Sequence, residues 1–288
     1  MSTVLDREEF IEQSYLFRVF RERLAENMAA QEILERLHEE ILTTTRLPMA
    51  VQFLSTELRH TGLLATGFAK LPHYFTPFQA FVVGQAEHET SRFTMPAALL
   101  VLEREAAYKA ATPTTAGLFV FQFETISRNR LGYDDGLRAM AGDPMFNEGW
   151  RNYLTMVRKQ VGSIDFADLV YLRSELYPIE QRRVNADYEP PSAPLFGEKE
   201  GKIAKASRGR DPLFLFAALQ RQLGYPEVPR PKPKDDLAAR FTMMQEQCRE
   251  MEARIRLLES EARGHVDLSQ FGKPEIFDDD DEPGERPA

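Results

Sequence analysis

The chain has 288 residues, of which 43% are hydrophobic and 28% charged, with 20 Phe and 9 Tyr. This apolar content excludes a chain that is disordered throughout, and the length suits one or two globular domains. The formal charge is −9, but residues 275–288 carry −6 of it. Residues 1–274 are therefore near neutral and lack the basic excess that is typical of general nucleic-acid binders.

The cysteine content and the hydropathy pattern predict a cytoplasmic protein. The one cysteine, Cys248, excludes an intramolecular disulfide and a cysteine-based zinc cluster. The N-terminal residues have neither the basic nor the apolar region of a signal peptide. No stretch approaches the 18 uncharged apolar residues that would predict a membrane span.

Residues 1–180 are predicted to form a helical globular domain, because apolar residues recur at helical spacing and no strand–helix alternation is present. Asp6 and Glu9 are spaced as a capping box at the start of the first helix. Further helices are predicted from about Ala29 to Thr43 and from Pro48. Later starts are predicted at Thr76-Pro77, Thr94, Thr112-Pro113, Asp143-Pro144 and Asp165.

The phenylalanine-rich run after Leu118 fits two structures. Phe119, Phe121 and Phe123 alternate as in a strand, whereas Phe119, Phe123 and the following Ile126 keep helical spacing. The longer pattern favours a helix, so the predicted fold is all-α throughout.

Residues 181–234 are predicted to be a Pro-rich basic tether. Nine of the 18 prolines lie between Pro178 and Pro233, and residues 198–234 hold nine Lys or Arg against four acids. Gly197–Ile203 departs from the spacing of a phosphate-binding loop and is interpreted as a mobile charged loop. Within the tether, an Asp211 cap, Pro212 and a Gly224 stop predict a short docking helix over 211–224.

Residues 235–264 are predicted to form a coiled-coil helix. Apolar or small residues follow alternating steps of four and three, which is the heptad pattern. These seam residues are Leu237, Phe241, Met244, Cys248, Met251, Ile255, Leu258 and Ala262. Self-association as a homodimer is the first interpretation, with docking on the same chain or binding another helical protein as alternatives. Residues 265–288 are predicted to be a disordered acidic tail.

A repeated Glu-x-x-His motif indicates a metal site, which is the alternative to a purely structural role. Glu35 with His38, and Glu57 with His60, would each share one helix face. The pattern resembles carboxylate-bridged di-iron bundles, which implies two further glutamates, for which Glu12 and Glu87 are available. The chain departs from that family because the two motif helices are consecutive.

The remaining motifs support no catalytic assignment and no cofactor. Glu124 and Arg128 with Arg130 and Tyr133 indicate either an anion site or a helix-end ion pair. A weak nucleic-acid contact is a third possibility for Lys199, Lys202, Lys205, Arg208 and Arg210. The sequence therefore predicts a non-enzymatic scaffold or adaptor that binds a protein partner through its C-terminal coiled coil. The alternative is a metal-dependent helical-bundle oxidoreductase.

Overall fold

The computed structural model describes residues 4–88, 92–230 and 237–262. Within these ranges the chain forms fourteen α-helices and no β-strand, which confirms the all-α prediction. The first seven are α1 (Arg7–Ala25), α2 (Ala30–Glu40), α3 (Leu47–Thr61), α4 (Leu64–Lys70), α5 (Pro77–Glu87), α6 (Met95–Ala110) and α7 (Thr115–Asn129). The others are α8 (Tyr133–Ala141), α9 (Glu148–Gln160), α10 (Phe166–Leu172), α11 (Leu176–Val184), α12 (Glu198–Ala206), α13 (Pro212–Leu223) and α14 (Leu237–Ala262).

Several helices begin where local capping chemistry predicts. The Thr76 hydroxyl accepts a hydrogen bond from the Gln79 N–H, and the Gln79 side chain accepts one from the Thr76 N–H, so α5 starts with a complete capping box. The carboxylates of Asp165 and Asp211 cap α10 and α13. Gly224 ends α13 in a left-handed conformation that glycine adopts readily.

The capping box predicted at Asp6 and Glu9 is wrong, although α1 does begin there. Asp6 makes no capping hydrogen bond to the described residues. The Glu9 carboxylate instead accepts the Arg46 N–H at 2.9 Å and the Tyr74 hydroxyl at 2.7 Å. Glu9 is buried, so its carboxylate stabilises contacts between distant segments rather than the end of its own helix.

The helix start predicted at Asp143 is also wrong. Helix α9 begins at Glu148, where the Asn147 side chain accepts the Trp150 N–H at 3.0 Å. The Asp143 carboxylate lies in the interior and accepts a hydrogen bond from the Lys109 ammonium at 2.7 Å. Its other oxygen accepts the Met145 N–H at 3.0 Å, so Asp143 stabilises a turn before α9 and binds a buried cation rather than capping a helix.

The interpretation of Gly197–Ile203 as a mobile loop is corrected, because Glu198–Ala206 forms α12. This helix packs against α10, and Gly201 faces Ser174 across the contact. A Cβ atom at Gly201 would lie 2.3 Å from the Ser174 hydroxyl oxygen. Helix α12 therefore packs too closely against Ser174 for a residue larger than glycine at this position.

The first compact unit is described as far as Arg230, and aromatic side chains form much of its core. Helix α1 lies along α6, α2 packs on α3, α4 on α5, and α8 on α9. Phe119 of α7 is at the centre of the aromatic cluster. The ring centroids of Trp150, Tyr153, Phe166 and Phe196 lie 5.2 to 6.2 Å from its own.

This core continues past residue 180, where the sequence predicts the domain to end. Helix α13 packs on α7 and α12, and it coincides with the helix predicted over 211–224. The segment contributes Phe196, Leu215, Phe216, Leu219, Tyr225 and Val228 to the buried core, each no more than 2% exposed. The proline-rich part of the chain therefore contains packed helices as far as Leu223 and contributes core side chains as far as Val228.

Helix α14 belongs to a second unit and is described by itself. It covers residues 237–262 of the coiled-coil segment predicted for 235–264. The acidic tail predicted for 265–288 lies outside the described residues.

Candidate functional site

The seam predicted along α14 is an exposed apolar face. Helix α14 has 26 residues and is therefore about 39 Å long at 1.5 Å per residue. The seam side chains Phe241, Met244, Met251, Ile255 and Leu258 are between 54% and 64% exposed. Such large apolar side chains at heptad spacing on one helix are typical of an association surface.

With Phe241 at an a position of the heptad, the seam residue Cys248 is also at an a position, and its thiol is free and exposed. Arg254, at a g position, forms an ion pair with Glu250 of the same helix at 3.6 Å, and both side chains are more than two-thirds exposed. A pair this exposed contributes little stability, so the Arg254 guanidinium can exchange it for a carboxylate on another helix.

The two Glu-x-x-His motifs lie on neighbouring helices, but their carboxylates bind cationic side chains. Glu35 of α2 forms an ion pair with Arg59 of α3. Glu57, which is nearly buried, accepts a hydrogen bond from the Lys70 ammonium at 2.6 Å. His38 contacts the carbonyl oxygen of Glu35, and His60 is exposed.

The additional glutamates considered for a metal site bind backbone groups. Glu12 accepts the Leu42 N–H at 3.1 Å, and Glu87 accepts the Ala65 N–H at the start of α4, also at 3.1 Å. Across residues 4–88, 92–230 and 237–262, no three His, Cys, Asp or Glu side chains are grouped so that they could hold a metal ion.

Three of the five basic residues considered for nucleic-acid contact are paired with carboxylates. Lys202 pairs with Glu198 at 2.6 Å, and Lys205 with Glu180 at 2.7 Å. Arg208 pairs with Asp168 at 2.5 Å and lies 4.2 Å from the centre of the Tyr171 ring. These carboxylates reduce the positive potential that phosphate binding requires.

Glu124 and Arg128 form an ion pair near the end of α7. The motif had two interpretations, an anion site or a helix-end ion pair, and the structure has the ion pair. Glu124 is 3% exposed, and its carboxylate also accepts the Tyr225 hydroxyl at 2.6 Å. Burial and the neighbouring Glu124 charge raise the pKa of Tyr225. The hydrogen bond between Tyr225 and Glu124 joins the segment after α13 to α7. The ion pair with Glu124 compensates the charge of Arg128.

A buried charged cluster was missed by the sequence analysis. Lys109 lies between Glu105 at 3.1 Å and Asp143 at 2.7 Å, and all three side chains are fully buried. Gln122 donates hydrogen bonds to both carboxylates. The i, i+4 spacing of Glu105 and Lys109 on a largely apolar helix was the available signal.

Two open cavities of small-molecule size lie on the first unit. One, of about 310 Å³, is bordered by Met49, Phe53 and Tyr74 together with Arg46, which pairs with Glu9. The second, of about 280 Å³, is bordered by Arg173, Tyr177 and Tyr188. Both volumes are close to the lower end of the range in which proteins bind small molecules.

Comparison with known proteins identifies no relative of this chain. No protein-family model, curated protein sequence or solved structure matches it. Among the helices that the structure describes, none combines the length and the apolar character needed to cross a membrane.

Proposed function

We propose that this protein is a non-enzymatic helical scaffold whose C-terminal helix joins two copies in a parallel coiled-coil homodimer. One observation supports the proposal most directly. Phe241, Met244, Met251, Ile255 and Leu258 repeat in steps of three, four and seven along α14, and each is more than half exposed. Burial of one such side chain stabilises an association by roughly 1.5–3 kcal/mol.

The composition of the seam indicates an association of limited strength. Methionine occupies two d positions, and Cys248 and Ala262 occupy a positions where Ile or Val packs better. Association also costs roughly 4–15 kcal/mol in lost translational and rotational freedom. We therefore expect a dimer that dissociates on dilution.

The charges beside the seam favour a parallel arrangement. In a parallel pair, the g residue Arg254 lies opposite the e residue Glu259 of the second helix, and the contact occurs twice. In an antiparallel pair centred on the helix, e residues face e residues and g residues face g residues, so Glu252 lies opposite Gln245 and Arg254 opposite Gln247. The contact between Arg254 and Glu259 is then lost.

The scaffold interpretation is also supported by the position of the charged cluster in the first unit. The side chains of Glu105, Lys109 and Asp143 have no exposed surface, and the cavity that Lys109 and Asp143 border has a volume of only about 10 Å³, far below that of a small-molecule site. Buried groups of this kind hold helices together, whereas catalytic groups need access to the reacting atoms.

The test is the mass of the full-length protein in solution, measured by light scattering after size-exclusion chromatography over a dilution series. Ile255→Glu places a carboxylate at an a position, and we expect it to weaken dimerisation at least about tenfold, since burying an unpaired charge is strongly unfavourable. Ala253→Glu introduces the same side chain at an exposed f position and is the matched control. It is expected to leave the dimer intact.

Two results would contradict the proposal. A wild-type monomer at high micromolar concentration would show that the seam does not join two copies. Equal weakening by Ile255→Glu and Ala253→Glu would show that added negative charge, rather than the seam, controls association.

A further inference from the structure

The second open cavity lies where α10, α11 and the proline-rich segment 188–194 meet. Its volume is about 280 Å³. The Tyr177 and Tyr188 rings meet edge to face with centroids 6.1 Å apart, and Pro190, Pro191 and Pro194 provide further apolar wall. The main chain holds this segment in place, because the Leu195 N–H donates to the Arg173 carbonyl oxygen at 2.8 Å.

Arg173 is the cationic group of this cavity. Its guanidinium lies 5.7 Å from the centre of the buried Tyr153 ring, and its Nε atom is buried. Throughout residues 4–88, 92–230 and 237–262, no carboxylate pairs with Arg173 and no atom accepts a hydrogen bond from this Nε. Burial lowers the pKa of Arg173.

Glu180 of the neighbouring helix does not pair with Arg173, because other groups bind its carboxylate. Glu180 of α11 accepts the Tyr171 hydroxyl at 2.6 Å and the Lys205 ammonium at 2.7 Å. A partly buried guanidinium without an acidic partner is unfavourable on its own, and buried charges in proteins are normally paired. An anion that enters the cavity would provide the missing acceptor.

The start of α11 borders the same cavity. This nine-residue helix begins at Leu176, after Glu175, whose side chain makes no capping hydrogen bond, and its first turn contains no acidic residue. Tyr177 and Pro178 of this turn border the cavity together with Arg173 and Ser174, which precede Glu175. The free N–H groups at a helix N-terminus favour an anion.

From these contacts we infer that the cavity binds a small carboxylic acid. Its carboxylate accepts hydrogen bonds from the Arg173 guanidinium, and its flat apolar body lies against the Tyr177 and Tyr188 rings. One guanidinium matches one negative charge, which favours a carboxylate over a doubly charged phosphate. The volume is too small for a folded partner and suits a single compact molecule.

The test uses benzoate, benzamide and inorganic phosphate as probes of the full-length protein. The side-chain Nε–H signal of Arg173 is followed by two-dimensional NMR and assigned by its loss in Arg173→Gln. Benzoate is expected to shift this signal in a saturable way. Benzamide has the same shape without the charge, and phosphate has charge without an apolar body, so both are expected to bind at least about tenfold more weakly.

Substitutions in and near the cavity test where benzoate binds. Titration of benzoate followed by calorimetry is expected to give at least about tenfold weaker affinity for Arg173→Gln, since a charged hydrogen bond is lost. Arg183→Gln changes an exposed arginine of α11 that does not border the cavity, and this variant should bind like wild type. Tyr188→Leu removes one aromatic wall of the cavity, keeps Arg173, and is expected to weaken benzoate binding even if Arg173→Gln fails to fold.

Three results would overturn the inference. Equal binding of benzamide would mean that the cavity recognises only the apolar body. Phosphate binding as tight as benzoate would replace the carboxylate with a phosphate. Unchanged benzoate affinity in Arg173→Gln and Tyr188→Leu would place the ligand elsewhere.

Discussion

The Lys109 ammonium lies in the interior of the first unit with two carboxylates and no exposed side-chain surface. Burial by itself lowers the pKa of Lys109, but the charges of Asp143 and Glu105 more than offset this effect and the pKa is raised. Burial raises the pKa of Glu105. Lys109 therefore keeps its charge in the interior because Glu105 of the same helix and Asp143, from the turn before α9, both lie beside it.

This arrangement makes Asp143 a critical residue for stability. Asp143→Asn removes one partner of a buried ion pair, and we expect the free energy of unfolding to fall by about 3 kcal/mol. The measurement is urea unfolding followed by circular dichroism. Asp134→Asn is the matched control, because Asp134 pairs with Arg138 and Arg158 on an exposed surface and should matter much less. Similar losses in the two variants would contradict a special role for the buried cluster.

At the level of helices, local chemistry predicted the starts that depend on neighbouring residues alone. Thr76 and Asp211 cap the helices that follow them, and proline occupies the first turn of each. The Glu9 carboxylate binds Tyr74, which is distant in sequence, and the capping box does not form. The Asp143 carboxylate accepts the nearby Met145 N–H as well as the distant Lys109 ammonium, but the next helix begins only at Glu148. A local pattern contains no information about such distant donors, and these two predictions failed.

The α14 seam and the Arg173 cavity differ in whether a local sequence pattern can identify them. The α14 seam lies on one helix, so residue spacing alone identifies its members. The walls of the Arg173 cavity come from α9, α10, α11 and the segment 188–194. No short motif connects Met156, Arg173 and Pro194, and their proximity follows only from packing. The cavity could therefore not be predicted from the sequence.

Helix α12 provides a prediction about close packing between elements. Gly201→Ala increases helix propensity by up to about 1 kcal/mol, but its Cβ would lie 2.8 Å from the Leu176 Cβ and closer still to the Ser174 hydroxyl. Such overpacking usually costs about 1–3 kcal/mol, so we expect a lower melting temperature in a thermal scan.

The control for this substitution is Gly84→Ala in α5. There the nearest side-chain atom to an added Cβ is the Ala65 Cβ at 3.5 Å, an ordinary contact. The gain in propensity is not opposed, and the melting temperature should rise or stay the same. A stabilised Gly201→Ala variant would indicate that α12 does not pack against residues 174–176 in solution, and that residues 181–230 behave as the predicted tether.

At the level of the whole molecule, the chain combines a packed helical unit with a long helix whose apolar seam is exposed. If α14 forms a parallel homodimer, equivalent a residues face each other across the seam. Cys248 is at such a position, and facing a residues lie close enough for a disulfide. Mild oxidation with diamide is therefore expected to give a covalent dimer on a non-reducing gel. A Cys248→Ser, Ala253→Cys variant moves the single thiol to the exposed f position and should remain monomeric on the gel.

Cross-linking through Cys248 does not by itself establish helix orientation, because this residue lies near the middle of Leu237–Ala262 and stays close to its copy in either direction. Ile255 is nearer the end. In a parallel pair it faces the second Ile255, whereas in an antiparallel pair centred on the helix it faces Met244. A Cys248→Ser, Ile255→Cys variant should therefore cross-link efficiently only if the helices run parallel. Cross-linking at 248 but not at 255 would reverse the proposed orientation, and monomer in both cases would show that the seam does not join two copies.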